Sequence, residues 1–100
     1  MIKHIVMWRL NDSAYGKSKA GNALELKNKL LAMRGKINGL IHIEVGFDFN
    51  NEKDSCDVVL YSEFEDEKAL YDYQSHPDHE EIKRWLSEVR YERRVVDYEI

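Results

Sequence analysis

The chain has 100 residues, of which 15 are basic and 19 acidic, giving a formal charge of −4 with the histidines neutral. At 43% hydrophobic and 34% charged it is composed like a folded globular domain rather than a disordered segment. Its basic residues are interleaved with acids, which excludes the clustered positive face that nucleic acid requires. Cys56, the one cysteine, rules out an intrachain disulfide framework and suits a reducing cytoplasm. No window nears the roughly 20 apolar residues of a membrane span. The expectation is a cytoplasmic protein with neither nucleic acid nor membrane as partner, its residues 1–100 forming a single domain with a modest core.

Residues 1–10 are broken by His4 and Arg9 and carry no small-residue cleavage site, so they read as a strand rather than a secretion signal. Ile2, His4, Val6, Trp8 and Leu10 share one face, with Ile5 and Met7 on the other. Asn11 to Ser13 and Gly16 open a loop. Residues 17–37 turn helical: Ala23, Leu26, Leu30, Met33 and Ile37 recur at three and four, and Asn38-Gly39 stops the run. In residues 40–49, Ile41, Ile43, Val45, Phe47 and Phe49 alternate strictly against His42, Glu44 and Asp48. A polar turn over 50–55 leads to a third strand, 56–64, with Val58, Leu60 and Phe64 on one face.

Acids at 65–67 open a second helical region, and His76-Pro77 breaks and restarts it, Ser75 or His76 capping the second piece. His79, Ile82, Leu86 and Val89 then run down one face, so His79 begins the buried stripe. Residues 93–100 alternate as a last strand, with Asp97 on the face of Val95. The order is β-α-β-β-α(α)-β, an α+β ferredoxin-like arrangement with a four-stranded antiparallel sheet and helices on one face. The bare face, assigned to Ile41, Ile43, Val45, Phe47 and Phe49, is too large an apolar patch for a monomer. It predicts a homodimer joined through the sheet faces about a two-fold axis.

The stretch that draws chemical attention is Tyr73-Gln74-Ser75-His76-Pro77-Asp78-His79. A tyrosine and a histidine facing one cavity can hold and deprotonate a small molecule, and equally can be two amphipathic side chains packed at a helix junction. His76 reads as a cap. No set of His, Cys, Asp and Glu has the spacing of a zinc site, no phosphate loop, nucleotide fingerprint or nucleophile elbow is present, and no cofactor or metal is expected.

With its elements in place, the chain resembles the stress-responsive dimeric α/β-barrel (Dabb) family over nearly its whole length. The resemblance rests on Ile2-Lys3-His4-Ile5-Val6, Ile43-Glu44-Val45-Gly46, Tyr61-Ser62-Glu63-Phe64, the Tyr-x-x-His-Pro-x-His block of Tyr73 to His79, and Val96-Asp97-Tyr98. It implies a ferredoxin-like fold whose sheets join across a dimer into a barrel. Most bacterial members have no assigned activity, some plant members are boiling-stable stress proteins, and one plant member, olivetolic acid cyclase, closes a linear polyketide by aldol condensation without a cofactor. That likeness implies His79 as catalytic base, Tyr73 as its partner, and His4 and Asp97 as pocket positions. Val58 and Leu30 replace a histidine and a tyrosine of that cyclase's pocket, so the polar wall that recognises the polyketide is not kept. Some members hold magnesium through backbone carbonyls near the dimer interface, which side-chain types do not reveal.

The resulting expectation is His79 and Tyr73 as catalytic residues, with His4, Asp97 and Trp8 as binding residues for an unknown small molecule between sheet and helices. Asp97 can orient either His79 or His4. The favoured reading is cofactor-free acid–base chemistry, cyclase- or isomerase-like, on a carbonyl compound. Two alternatives stand beside it: a non-catalytic stress or ligand-binding protein, and, by fold analogy alone, a cofactor-free monooxygenase or heme-handling protein.

Overall fold

The computed structural model describes residues 1–100. Nine elements follow in order: β1 (Ile2–Leu10), β2 (Ser13–Ala14), β3 (Lys17–Ser18), α1 (Lys19–Leu31), β4 (Leu40–Phe47), β5 (Val58–Phe64), α2 (Glu67–Ser75), α3 (Pro77–Val89) and β6 (Arg90–Glu99). The main sheet is antiparallel with strand order β4-β5-β1-β6, the ferredoxin-like arrangement expected. β1 and β5 are central and β4 and β6 form the edges. No helix is long and apolar enough to cross a membrane.

Every second residue of β1 and β5 is buried, as a strand with one helix-covered face requires. Ile2, Val6, Trp8, Leu10, Val58, Leu60 and Phe64 pack there against Leu26 and Leu30 of α1, Ala69 and Tyr73 of α2, and Ile82, Leu86 and Val89 of α3. The helix starts follow capping chemistry: Ser18 accepts from the Gly21 N–H at 3.1 Å and Asp66 from the Ala69 N–H at 2.8 Å. His76 caps α3 through Nδ1, which accepts from the Asp78 N–H at 3.0 Å, with Pro77 in the first turn. Pro77 has no N–H to donate, so the break between α2 and α3 leaves none unsatisfied there.

Strand β5 starts at Val58 rather than 56 and β6 at Arg90 rather than 93, and three larger details also differ from the sequence reading. The loop after β1 contains a small hairpin, β2 with β3, turned at Tyr15 and Gly16, both at positive φ, as a tight hairpin turn demands. Helix α1 ends at Leu31 rather than 37, because Gly35 takes φ +79 and the chain unwinds through turns. Met33 and Ile37 stay buried regardless, held by the Met33 to Leu30 and Leu40 to Ile37 backbone bonds.

The third difference changes the bare face. The β4–β5 register slips between Leu40 and His42, so Ile41 is an extra residue and stands 53% exposed. A one-residue slip inverts facing. Ile43 and Val45 therefore sit in the helix-side core, Phe47 lies on the same side at its rim beneath Lys27, and Phe49 falls beyond the strand, 91% exposed. These five residues do not make the bare face. That face is formed by Ile5, Met7, Val59, Tyr61, Val96 and Tyr98, which share a side by strand register.

Candidate functional site

The break at His76-Pro77 sets the angle between α2 and α3 and brings the end of one helix against the start of the next. Tyr73, two turns into α2, is fully buried. His79, in the first turn of α3, lays its ring 4.6 Å from the Tyr73 ring, centroid to centroid. Phe64 from β5 lies 5.2 Å from Tyr73 on another side, and the His4 ring meets Tyr73 edge-on at 6.2 Å. Thus one aromatic cluster joins the helix junction to the two central strands.

Between these helices and the sheet opens a cavity of about 680 Å³, within the size range of small-molecule sites. His4, Val6 and Trp8 from β1 form its floor, Leu60 from β5 and Leu30 from α1 its inner side, and His79 and Ile82 its helical wall. His79 is half-buried. Burial is the main cause that lowers its imidazole to about 4, from an ordinary 6.5; the Lys83 ammonium and His4 push the same way, against the Gln74 carbonyl and Glu80. The ring is consequently neutral at pH 7. Its Nδ1 is sealed and makes no hydrogen bond, which leaves Nε2 as the nitrogen with access to the cavity.

Two further buried donors near the cavity have no partner, the Tyr73 hydroxyl and the Trp8 indole N–H. Native folds satisfy nearly all such groups, and three of the five orphaned buried atoms gather around this cavity, the other two belonging to Arg9 and Asn22. Burial alone holds the Tyr73 phenol well above its usual range, keeping it a proton donor in hydrogen bonds. Tyr73 does not itself line the cavity; it lies behind the His79 wall. His4, also almost fully buried, shares a hydrogen bond through Nδ1 with the Asp97 carboxylate, and Ser62 donates to its backbone carbonyl at 2.9 Å.

The structure therefore brings His4, Trp8 and His79 to one cavity, sets Tyr73 directly behind it, and pairs Asp97 with His4 rather than His79. Sequence reasoning missed the cations that line it, Lys83, Arg90 and Arg93. A signal for Arg93 was there: it keeps the parity of Val95 and Asp97, the face that His4 shares. No three side chains of His, Cys, Asp or Glu gather in a way that could hold a metal ion.

Comparison with known proteins agrees with this architecture. A dimeric protein of unknown function with a ferredoxin-like fold from Bacteroides fragilis is 32% identical, covering 99% of this chain and 95% of its own, with a TM-score of 0.85. The Arabidopsis thaliana protein At3g17210 is 20% identical over 100% of this chain and 95% of its own, at a TM-score of 0.80. A hydroxynitrile lyase from Passiflora edulis is 16% identical over 99% and 92%, at 0.74, a likeness of fold alone. A search of curated proteins found no match. The model of the stress responsive A/B barrel domain matches residues 2–100, and the chain belongs to that family.

Proposed function

We propose that this protein is a homodimer in which each subunit binds a small carbonyl compound in the cavity between sheet and helices, and that His79 removes a proton from the carbon beside the carbonyl. The observation that carries the reading is the neutral His79 imidazole, facing a cavity and backed by an unpartnered donor, the Tyr73 hydroxyl. In the step proposed, Nε2 takes the proton, the C–H electron pair becomes the new C=C bond, and the carbonyl oxygen gathers the negative charge. An imidazole at about 4 is fully available as a base at neutral pH but is intrinsically weak. The enolate formed beside it is an opposite charge that raises its pKa within the complex. His4, held by Asp97, and Trp8 bind and shape the substrate, and Tyr73 packs its ring against His79 from behind and holds the imidazole toward the cavity.

Dimerisation is supported by the bare sheet face, whose apolar residues lack a covering layer, and by relatives described as dimeric. The test is exchange of α-protons for deuterium in phenylpyruvate and small β-diketones, followed by NMR. His79→Ala should slow exchange about 10²- to 10⁴-fold while leaving the fold and dimer intact; an unchanged rate sinks the acid–base role.

One observation favours a second reading, a ligand-binding protein without turnover: the Tyr73 hydroxyl is sealed behind the cavity wall. On that reading His79→Ala alters ligand affinity and stability, and no exchange above the uncatalysed rate occurs with the unmodified protein.

A further inference from the structure

The cavity's charge opposes that of the chain. The protein is net negative, at −4, yet the cavity is lined by Lys83, Arg90 and Arg93 with Glu80 as the one carboxylate. Glu80 is already engaged, 3.6 Å from Lys83 one helical turn away. The His4 imidazole on the floor is engaged by Asp97. What remains uncompensated is the pair of arginines.

Of the other four arginines, Arg84 points to solvent from α3 and is unpaired, while three have partners. Arg9 and Arg94 both reach Glu92 on the opposite side of the sheet, and Arg34 donates to the Ile43 carbonyl at 3.3 Å. Arg90 and Arg93 form no ion pair or side-chain hydrogen bond, although Arg90 is partly buried. Strand register fixes where they stand. Arg93 is directly opposite Trp8, and Arg90 opposite Leu10, so both project from the start of edge strand β6 to the helix-covered side. Arg90 follows α3 without a gap, the helix that carries His79 at its other end.

Cross-strand neighbours on one face have their Cβ atoms about 5 Å apart, so Arg93 stands beside the indole of Trp8 on the cavity floor. A guanidinium presents a planar fork of donors that matches a carboxylate or phosphate, and it gains most where nearby apolar walls exclude water. Two unpaired forks at one end of a cavity, with a neutral base in its wall, make a polarised site: anion at the β6 end, reacting carbon at His79. The arginine guanidiniums also steer anions toward the cavity.

We infer that Arg90 and Arg93 form an anion subsite, and that the ligand of this cavity is a carbonyl compound bearing a carboxylate or phosphate group. The inference rests on the cavity being the ligand site and names the class of molecule it takes. It makes Arg90 and Arg93 specificity-determining residues, separate from His79.

The experiment uses phenylpyruvate and its uncharged amide, phenylpyruvamide, which share the ring and the ketone and differ in one negative charge. Phenyl phosphate supplies the phosphate arm. Each is titrated into the full-length protein, and dissociation constants are read from the His79 imidazole resonances. Phenylpyruvate should bind at least about tenfold more tightly than the amide, with the advantage shrinking as salt rises. In the Arg90→Gln, Arg93→Gln double variant that advantage should vanish while amide binding is retained. Phenyl phosphate binding more tightly than phenylpyruvate identifies a phosphate ester, and the reverse a carboxylate; both support the subsite. Equal binding of acid and amide, or an advantage that survives in the double variant, overturns it while leaving the cavity and its base standing. Failure of every probe to move the His79 resonances overturns both readings. Loss-free exchange in His79→Ala, with charge selectivity intact in the unmodified protein, would remove the base and leave the subsite.

Discussion

His4 on β1 and Asp97 on β6 stand directly opposite one another in strand register, and the imidazole Nδ1 and the carboxylate meet in a hydrogen bond. The histidine is almost wholly buried, whereas the carboxylate is reached by solvent. Pairing the first strand with the last therefore brings an acid to a histidine 93 positions away. Asp97→Ala should leave the buried Nδ1 unpaired and cost about 1–3 kcal/mol, measured by urea denaturation. Combined with His4→Phe in a double-mutant cycle, the loss in the double variant should fall well short of the sum of the two single losses.

The depressed His79 imidazole makes stability depend on pH. In the unfolded chain it protonates near 6.5, but in the fold only near 4. Between those values the unfolded state binds more protons, so stability falls as pH drops through that window and levels off below it. Above about 6.5 the histidine contributes no slope. Thermal unfolding from pH 7.5 to 4 should show this decline, and His79→Asn should flatten it. Any α-proton exchange by the free enzyme should likewise hold level through pH 6 and fall only toward pH 4.

Tyr73→Phe separates the roles of its hydroxyl. The group is buried and bonded to nothing, so removing it deletes an unsatisfied polar atom, and stability should stay level or rise by about 1 kcal/mol. If the hydroxyl supports a bound carbonyl, ligand affinity or exchange rate should drop in the same variant. Stability rising with no change in either identifies a packing residue.

Gly39 sits at φ +87, and a Cβ there would lie 2.7 Å from the Ala69 Cβ. Gly39→Ala meets both a left-handed backbone and a side chain on α2 that has no room to retreat. We expect a loss of at least about 1 kcal/mol, while Gly35→Ala, at a similar φ but with nothing within 4 Å, should cost less.

The bare face predicts the assembly. Val96 lies opposite Ile5 and Met7 opposite Val59, and burying a charge in their midst without a partner is costly. Val96→Glu should convert a particle of twice 11.9 kDa to one of 11.9 kDa, read by light scattering with the fold checked by circular dichroism.

Much of this was legible in the chain. Period-two alternation in β1 and β5, the three-and-four spacing of Leu26, Leu30, Ile82 and Leu86, and the His76-Pro77 break are local patterns. They fixed the element order and, through it, the sheet and helix layers. The placement of His79 at the head of a buried stripe was equally local, and it does stand in the cavity wall. Where local pattern misled, a non-local pairing was responsible. Strict alternation from Ile41 to Phe49 assumed an unbroken register, and only the pairing with β5 reveals the extra residue at Ile41 that turns Ile43 and Val45 inward.

What the sequence by itself determined is the set of faces each element presents, because facing follows from backbone periodicity within a few residues. What only the tertiary structure decided is which faces meet. The union of β1 with β6 chose His4 rather than His79 as the partner of Asp97, and carried Arg93 to Trp8. The helix junction sealed Tyr73 behind His79 and desolvated the imidazole. Burial and charge pairing depend on groups brought together from distant parts of the chain, so no local pattern could have set them.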